Sequence, residues 1–437
     1  MRIPVVVFFL ITAANAPGQQ EAIRQKIASA ADKIEPKVVE WRRDIHEHPE
    51  LGNYEFRTSE LIAKHLKSLG MEVRTQVATT GVVGVLKGGK PGPVVALRAD
   101  MDALPVTERS DLPFASKVKA TYNGQEVGLM HACGHDAHVA VLMGVAEIFS
   151  SIRKDIPGTI KFIFQPAEEG VPVGQVGGAQ QMIKEGALQN PDAEVIFGLH
   201  TDPKIEAGKI TYRSGATMAA VNNMRIVIKG KGSHGANPWF SVDPVVVSAQ
   251  VINNLQTVVS RNLNVTKNPG VLTIGTINGG SRWNIIPEEV VMLGTIRAFS
   301  DEDKQLIIDR MKQIVTKTAE AAGATAEIQV PYSTDYPSAY NEPALMAKML
   351  PTLEKVFGKE NVIAAPPETG AEDFAFYQKE IPGLFLFFGT MPKGKDPNTA
   401  AARHTPEFFL EESGMKTGVL TLTNLTLDYM FSKKQSK

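Results

Sequence analysis

Cys133 is the only cysteine among 437 residues, and it stands in the run His131-Ala132-Cys133-Gly134-His135-Asp136-Ala137-His138. A lone cysteine cannot close an internal disulfide. Thiolate, imidazole and carboxylate are together the donors that hold zinc and similar ions, and Cys133 and His135 lie two apart, a spacing that lets an extended segment turn both to one side. The competing reading is a buried structural thiol; the flanking histidines argue against it. Glu168 and Glu169 set two carboxylates side by side after an apolar run. Two such anions are costly together unless a cation neutralises one, so one can be a ligand while its neighbour acts as base. His200 closes the apolar run 195–199, and His404 sits in a loop ahead of Thr405-Pro406-Glu407. His131 and His138 are open between ligand and packing roles. His46, His48 and His65 fall in helical stretches and read as solvated or packing residues.

Positioning these groups requires a sheet. Residues 22–70 have helical period, broken at His48-Pro49-Glu50-Leu51-Gly52 and ending at Gly70. Apolar runs at 82–86, 94–97, 160–164 and 195–199 alternate, in their later part, with helical stretches at 136–154 and 177–187. Strands buried on both faces and alternating with helices predict an α/β fold with a helix-flanked sheet. Three runs lead directly into polar clusters, at Arg98-Ala99-Asp100-Met101-Asp102, at Gln165-Pro166-Ala167-Glu168-Glu169-Gly170, and at His200-Thr201-Asp202. The carboxyl ends of such strands are where α/β proteins bind ligands. After Ser214 the order changes to strand 222–229, helix 242–262, strands 271–278 and 288–298, helix 301–322 and strand 324–331. This βαββαβ order predicts a ferredoxin-like insert over 215–331 in a catalytic domain spanning 19–214 and 332–437. The remainder reads as helix 342–357, strand 384–388 and a terminal helix over 406–431.

Composition bounds the function. With 43% hydrophobic and 21% charged residues and a net charge of −1, the chain is an ordinary globular one. It offers no electrostatic case for nucleic acid or an anionic membrane. Met1-Arg2 and the apolar run 3–14 read as a signal peptide over 1–18, its cleavage point open, so export is the expectation, with no membrane attachment after cleavage.

The segments Arg98-Ala-Asp-Met-Asp-Ala-Leu-Pro105, Met130-His-Ala-Cys-Gly-His-Asp-Ala-His138, Gln165-Pro-Ala-Glu-Glu-Gly170, Gly232-Ser-His-Gly-Ala236, Trp283-Asn-Ile-Ile-Pro287, Gly370-Ala-Glu-Asp-Phe374 and His404-Thr-Pro-Glu407 occur in this order. The set resembles the amidohydrolase branch of the aminoacylase/glutamate carboxypeptidase metallohydrolases, which contains hippurate hydrolases, N-acyl-amino-acid deacylases and auxin-conjugate hydrolases. The resemblance covers nearly the whole chain after the leader. It implies a site for two divalent ions, zinc or manganese with cobalt and nickel as alternatives, held by Cys133, His135, Glu169, His200 and His404. It makes Glu168 the general base, and Asp102 a carboxylate that orients a ligand or tunes the base. Wider relatives carry His-x-Asp where Asp100-Met101-Asp102 stands, which leaves Asp100 open as a ligand. The same resemblance gives His234 the role of oxyanion donor, reaching a neighbouring subunit's cleft from the insert of a homodimer. Asn284 and Arg297 are placed to hold the carboxylate of an amino-acid product. Gly370-Ala371-Glu372 is expected to shape the cleft without touching metal.

The expected activity is hydrolysis of N-acyl or N-aroyl amino acids to a carboxylic acid and a free amino acid. The ions activate a water and polarise the carbonyl, and Glu168 moves the proton. A metallocarboxypeptidase or dipeptidase on the same scaffold is the alternative. A non-catalytic solute-binding protein is disfavoured by the complete set of ligands and base.

Overall fold

The computed structural model describes residues 16–171 and 175–434. The expected leader lies almost wholly outside them, and the helix Ala16–Glu47 begins within its last residues. Among the described residues no helix is long and apolar enough to cross a membrane.

Four strands, Pro157–Gln165, Lys90–Asp100, Val195–Glu206 and Gly383–Met391, lie side by side and parallel at the centre of an eight-stranded sheet. Gly81–Lys87 and Glu72–Val77 extend one edge antiparallel; Ile210–Tyr212 and Val362–Ala364 extend the other. The central strands are buried on both faces, as Val195 to Thr201 and the whole of Gly383–Met391 illustrate. Helices cover each face. On one, Ala16–Glu47, His135–Ser151 and Met415–Lys434 pack together over a core that includes Leu97, Val141, Phe162 and Leu425. On the other, the short helices Gly178–Lys184 and Ala375–Glu380 bring Met182, Phe374 and Tyr377 onto Ile163, Ile196 and Phe385. His135–Ser151 is apolar around nearly its whole circumference, and it is correspondingly buried along its length.

A second, antiparallel sheet runs in the order Gly270–Gly279, Glu289–Ala298, Ala220–Lys229, Thr325–Gln329. Its helices Pro244–Thr257 and Asp301–Ala321 share a separate apolar core with it, built on Ile226, Val251, Met292 and Met311. This is the ferredoxin-like order expected of βαββαβ. The departing segment Gly215–Met218 and the returning segment Ala339–Asn341 pair antiparallel. Asp335 and Tyr336, beyond the expected end of the insert at 331, still pair with Asn222 and Val221.

Some elements differ from expectation. The terminal helix starts at Met415, not 406, because Phe408 and Leu410 are buried in non-helical chain whose Glu411 N–H bonds Thr390 O. The strand Glu72–Val77 and the hairpin Lys119–Tyr122/Gln125–Gly128 were not anticipated; both are largely exposed and lack the apolar pattern that marks buried strands.

Gly198 shows how tightly the second face is packed. A Cβ there would lie 2.7 Å from the Phe374 ring and 2.9 Å from the Phe385 ring. Overpacking of this kind costs about 1–3 kcal/mol. Gly198→Val is expected to lower the guanidinium unfolding midpoint accordingly; an unchanged midpoint would contradict this packing.

Candidate active site

The run 131–138 folds as a turn entering a helix. Gly134 caps that helix at φ 92°, and a Cβ on it would lie 2.5 Å from the Thr201 hydroxyl oxygen. Only glycine meets both conditions, and the close approach sets Cys133 against the middle of the strand Val195–Glu206, beside His200. Cys133 Sγ lies 3.4 Å from His200 Nε2 and 3.3 Å from His404 Nε2. His404 Nε2 is in turn 3.0 Å from Glu169 Oε1. Two triads of donor atoms, Cys133-His135-His200 and Cys133-Glu169-His404, each fall within 4.8 Å, with Cys133 common to both. A third such group joins His135 to Glu168 and Glu169. All five expected ligands therefore converge, with Glu168 beside them.

Hydrogen bonds decide which histidine nitrogens remain for a ligand. His200 Nδ1 lies 2.7 Å from Thr201 O, so it carries the proton and leaves Nε2 as the donor atom. His135 Nδ1 faces Asp102 Oδ1 at 3.2 Å, and its buried Nε2 has no hydrogen-bond partner. His138 is different: Nδ1 bonds Asp100 Oδ1 at 2.5 Å and Nε2 accepts the Thr201 N–H at 2.9 Å. Both its nitrogens are used, which assigns it to positioning. Asp100 is likewise engaged, by His138 and by Arg98 at 2.6 Å. His404 holds a positive φ of 64° and is tied by its N–H to Ala132 O at 2.8 Å.

The electrostatics fit a cation. Burial, reinforced by Glu169, pushes the Cys133 thiol up to about 12, so a thiolate there needs a positive charge. Burial would lower the His135 pKa, but Asp100 and Asp102 outweigh it and raise it well above the usual value. The orphaned His135 Nε2 and the mixed sulfur, nitrogen and oxygen donor set suit two divalent ions.

The two adjacent glutamates are pushed apart. Burial, then the charges of Glu372, Glu169 and Asp373, raise Glu168 well above the usual carboxylate range. Burial also opposes ionisation of Glu169, but His404 and His135 hold its pKa below the ordinary value. An ionised Glu169 suits a ligand, and its raised pKa makes Glu168, in its deprotonated form, the stronger proton acceptor of the two. Asp102 joins the parts: Oδ1 faces His135, and Oδ2 accepts the Glu169 N–H at 2.9 Å.

His234 and Asn284 meet elsewhere, on the second unit. Ser233–His234 pairs with Ile285–Ile286, and Gly235 N–H bonds Asn284 O at 2.8 Å. Arg297 lies on the neighbouring strand between Val221 and Val271. Burial lowers its pKa, and among the described residues no carboxylate lies within ion-pair distance of it. Among those residues too, no hydrogen bond or ion pair joins His234, Asn284 or Arg297 to the ligand cluster.

Several contributors escaped the sequence reading. Arg98, wholly buried, binds Gln165, Asp100, Glu372 and Asp373. Glu372 is thus ion-paired with Arg98 and also lies, with Glu168 and Asp373, in a group of carboxylates close enough to share an ion, and the Asp373 N–H faces Glu168 Oε1 at 3.3 Å. Glu55 accepts the Ala167 N–H at 2.9 Å and the Thr80 hydroxyl at 2.5 Å, fixing Ala167 at φ 54° just before the glutamates. His46 is neither solvated nor a simple packing residue. It is buried between Asp136 at 2.8 Å and Glu108 at 3.3 Å, with Arg42 on the same Asp136 oxygen. The helical spacing of Arg42 and His46 and the acid at 136 were visible in sequence; their meeting was not.

Glu168→Gln is expected to lower kcat by about 10²–10⁴-fold with metal content intact by elemental analysis, whereas Glu169→Gln loses metal. Swapped phenotypes would reverse the two roles.

A family model described as peptidase family M20/M25/M40 matches residues 96–428. Thermostable carboxypeptidase 2 of Saccharolobus solfataricus is 38% identical over 409 residues, 93% of this chain and 98% of that one. An IAA-amino acid hydrolase, ILR1-like 2, of Arabidopsis thaliana is 35% identical over 438 residues, covering 98% and 94%. Among solved structures, the Bacillus subtilis YXEP protein, described as a dinuclear metal binding peptidase from the M20 family, superposes with a TM-score of 0.75 at 33% identity. That match covers 91% of this chain and 99% of the other. With the ligand cluster and its paired glutamates in place, the chain belongs to the M20/M25/M40 peptidase family and is a metal-dependent hydrolase.

Proposed function

We propose that the protein is an amidohydrolase that cleaves N-acyl and N-aroyl amino acids to a carboxylic acid and a free amino acid. The observation that carries this is the pairing of Glu168, held protonatable by burial, with an ionised Glu169 inside a five-donor metal cluster. Two divalent ions held by that cluster would supply a lowered water pKa and a polarised carbonyl. Glu168 takes the proton from the attacking water and delivers it to the departing nitrogen as the C–N bond breaks. Asp102 keeps His135 and the Glu169 backbone in register meanwhile.

The product side belongs to the second unit. Arg297 is a half-buried cation without a carboxylate partner among the described residues, and Asn284 has an amide Nδ2 that can donate to a carboxylate oxygen. Both suit a free α-carboxylate, Arg297 through a bidentate pair. His234 Nδ1 accepts the Ala236 N–H at 3.0 Å, so Nε2 carries the proton and is available as a donor to an oxyanion. Because His234 is exposed, this reading places it in the cleft of a second copy. The edge strand Gly270–Gly279 with exposed Ile277, Trp283 and Ile285 supports a homodimer through this unit. Export, read from Met1-Arg2 and the apolar run 3–14, is part of the same proposal. A carboxypeptidase is the second reading, favoured by the 38% identity to a thermostable carboxypeptidase; it shares the product-side carboxylate.

Chelation is expected to abolish hydrolysis, and zinc, manganese, cobalt or nickel to restore it; full activity in a demonstrably metal-free sample would refute the mechanism. Converting an accepted N-acyl amino acid to its primary amide should impair hydrolysis, and Arg297→Ala should shrink that difference. Equal rates on acid and amide would remove the carboxylate pocket.

The action of His234 across a dimer is tested by mixing Glu168→Ala with His234→Ala. Mixed dimers contain one site with both groups intact, so random exchange restores roughly a quarter of the unaltered activity. No recovery despite proven subunit exchange would place His234 in its own chain's site.

A further inference from the structure

The residues Arg42, Arg43 and His46 stand near the carboxyl end of the first helix, and the hydrolytic chemistry leaves them unused. Their side chains reach segments that adjoin the metal ligands. His46 Nδ1 lies 2.8 Å from Asp136 Oδ2, and Asp136 is the residue after His135. His46 Nε2 faces Glu108 Oε1 at 3.3 Å, and Glu108 Oε2 accepts the Ser116 N–H at 2.6 Å, which closes residues 108–116 into a strap. Arg109 of that strap donates its N–H to Pro406 O at 3.0 Å and pairs with Glu407, both just beyond His404. Arg42 and Arg43 lie 5.0 and 5.1 Å from the ring of Phe114, also in the strap.

His46 and Asp136 are buried, so water offers the imidazole no substitute partner. Each of its ring nitrogens faces a carboxylate oxygen, and only the doubly protonated ring donates to both. Arg42 Nη2 stands 3.4 Å from Nδ1, farther than the carboxylate oxygen at 2.8 Å. Burial opposes both charges, but the hydrogen bonds raise His46 above the usual histidine value and hold Glu108 below the ordinary carboxylate value.

We propose that His46 is a positioning residue for both arms of the ligand cluster, an imidazolium clasp that holds the Cys133–His135 turn through Asp136 and the His404 loop through Glu108 and Arg109. The proposal rests on the assignment of Cys133, His135 and His404 as ligands. Cys133 and His404 meet at 3.3 Å across 271 residues of chain. Of the two donor triads that share Cys133, one contains His135 and the other His404. Releasing one arm of the clasp therefore loosens one triad and spares the other.

The two arms can be released separately, because an asparagine amide stands near the position of a histidine Nδ1 and a glutamine amide near that of Nε2. The experiment measures stepwise zinc dissociation constants of the full chain by chelator competition, with His135→Ala and His404→Ala identifying which step belongs to which triad. His46→Asn keeps the Asp136 contact and gives up Glu108. It should weaken the His404 step about tenfold, the lower end of what the outer partners of ligands contribute, and leave the His135 step unchanged. His46→Gln should do the reverse. Glu108→Gln, which leaves the helix untouched, should match His46→Asn. Unchanged constants in all three variants would remove His46 from the site, and equal weakening of both steps in each would make it a packing residue; either result, or a swapped pattern, overturns the clasp. If the His46 variants do not fold, Glu108→Gln decides alone: selective loss at the His404 step supports the clasp, and any other result overturns it.

Discussion

The Arg98 guanidinium is the interaction on which the centre depends. It is completely buried, and its nitrogens reach Asp100 at 2.6 Å and Gln165, Glu372 and Asp373 at 2.9 Å each. Those partners come from the ends of two adjacent parallel strands and from the segment leading into the helix Ala375–Glu380. One cation therefore aligns the strand end bearing Asp102, the strand end leading to Glu168 and Glu169, and the backbone that faces Glu168. Burying an unpaired charge is prohibitive, so the four groups have no alternative arrangement at similar energy. The carboxylates still outnumber the single arginine. Burial leaves Glu372 at about 8, so a carboxyl beyond those the arginine neutralises holds its proton near neutral pH.

Much of this was legible in the chain. The apolar runs located the central strands, because parallel strands buried on both faces cannot be written with alternating polarity, although the strand read as ending at 199 continues to Glu206. Cys133 and His135 stood out as a lone cysteine and a histidine two apart in a dense cluster of donor types, and His200 as a donor following the apolar run 195–199. The supporting groups were not legible. Glu55 serves Ala167 across 112 residues, and Arg98 meets Asp373 across 275. No local pattern encodes pairings of that length. His46 was misread because its helical surroundings look like a solvated face until the Asp136 helix is laid against it. The hairpin Lys119–Gly128 escaped because four-residue strands of mostly exposed polar side chains have no distinctive period.

The two units are joined by more than their covalent connections. Tyr336, from a strand that pairs with the second sheet, has its hydroxyl 3.3 Å from the Glu168 carbonyl oxygen. The residue that carries the base is thereby tied to the antiparallel sheet, at the point where the chain crosses back. Any rotation of one unit against the other must pass through this contact and through the paired segments Gly215–Met218 and Ala339–Asn341.

The donor atoms are also set in place by the protein itself. Thr201 O orients His200, Asp102 orients His135, Ala132 O holds His404, and a glycine with no room for a side chain fixes the turn beneath Cys133. Each donor is thus held by a contact of its own, in contrast to small domains whose structure forms only around zinc. Because raw affinity rises across the first-row divalent metals for any such mixed site, choice among them rests on the geometry of these fixed donors, on the soft thiolate of Cys133 and on supply.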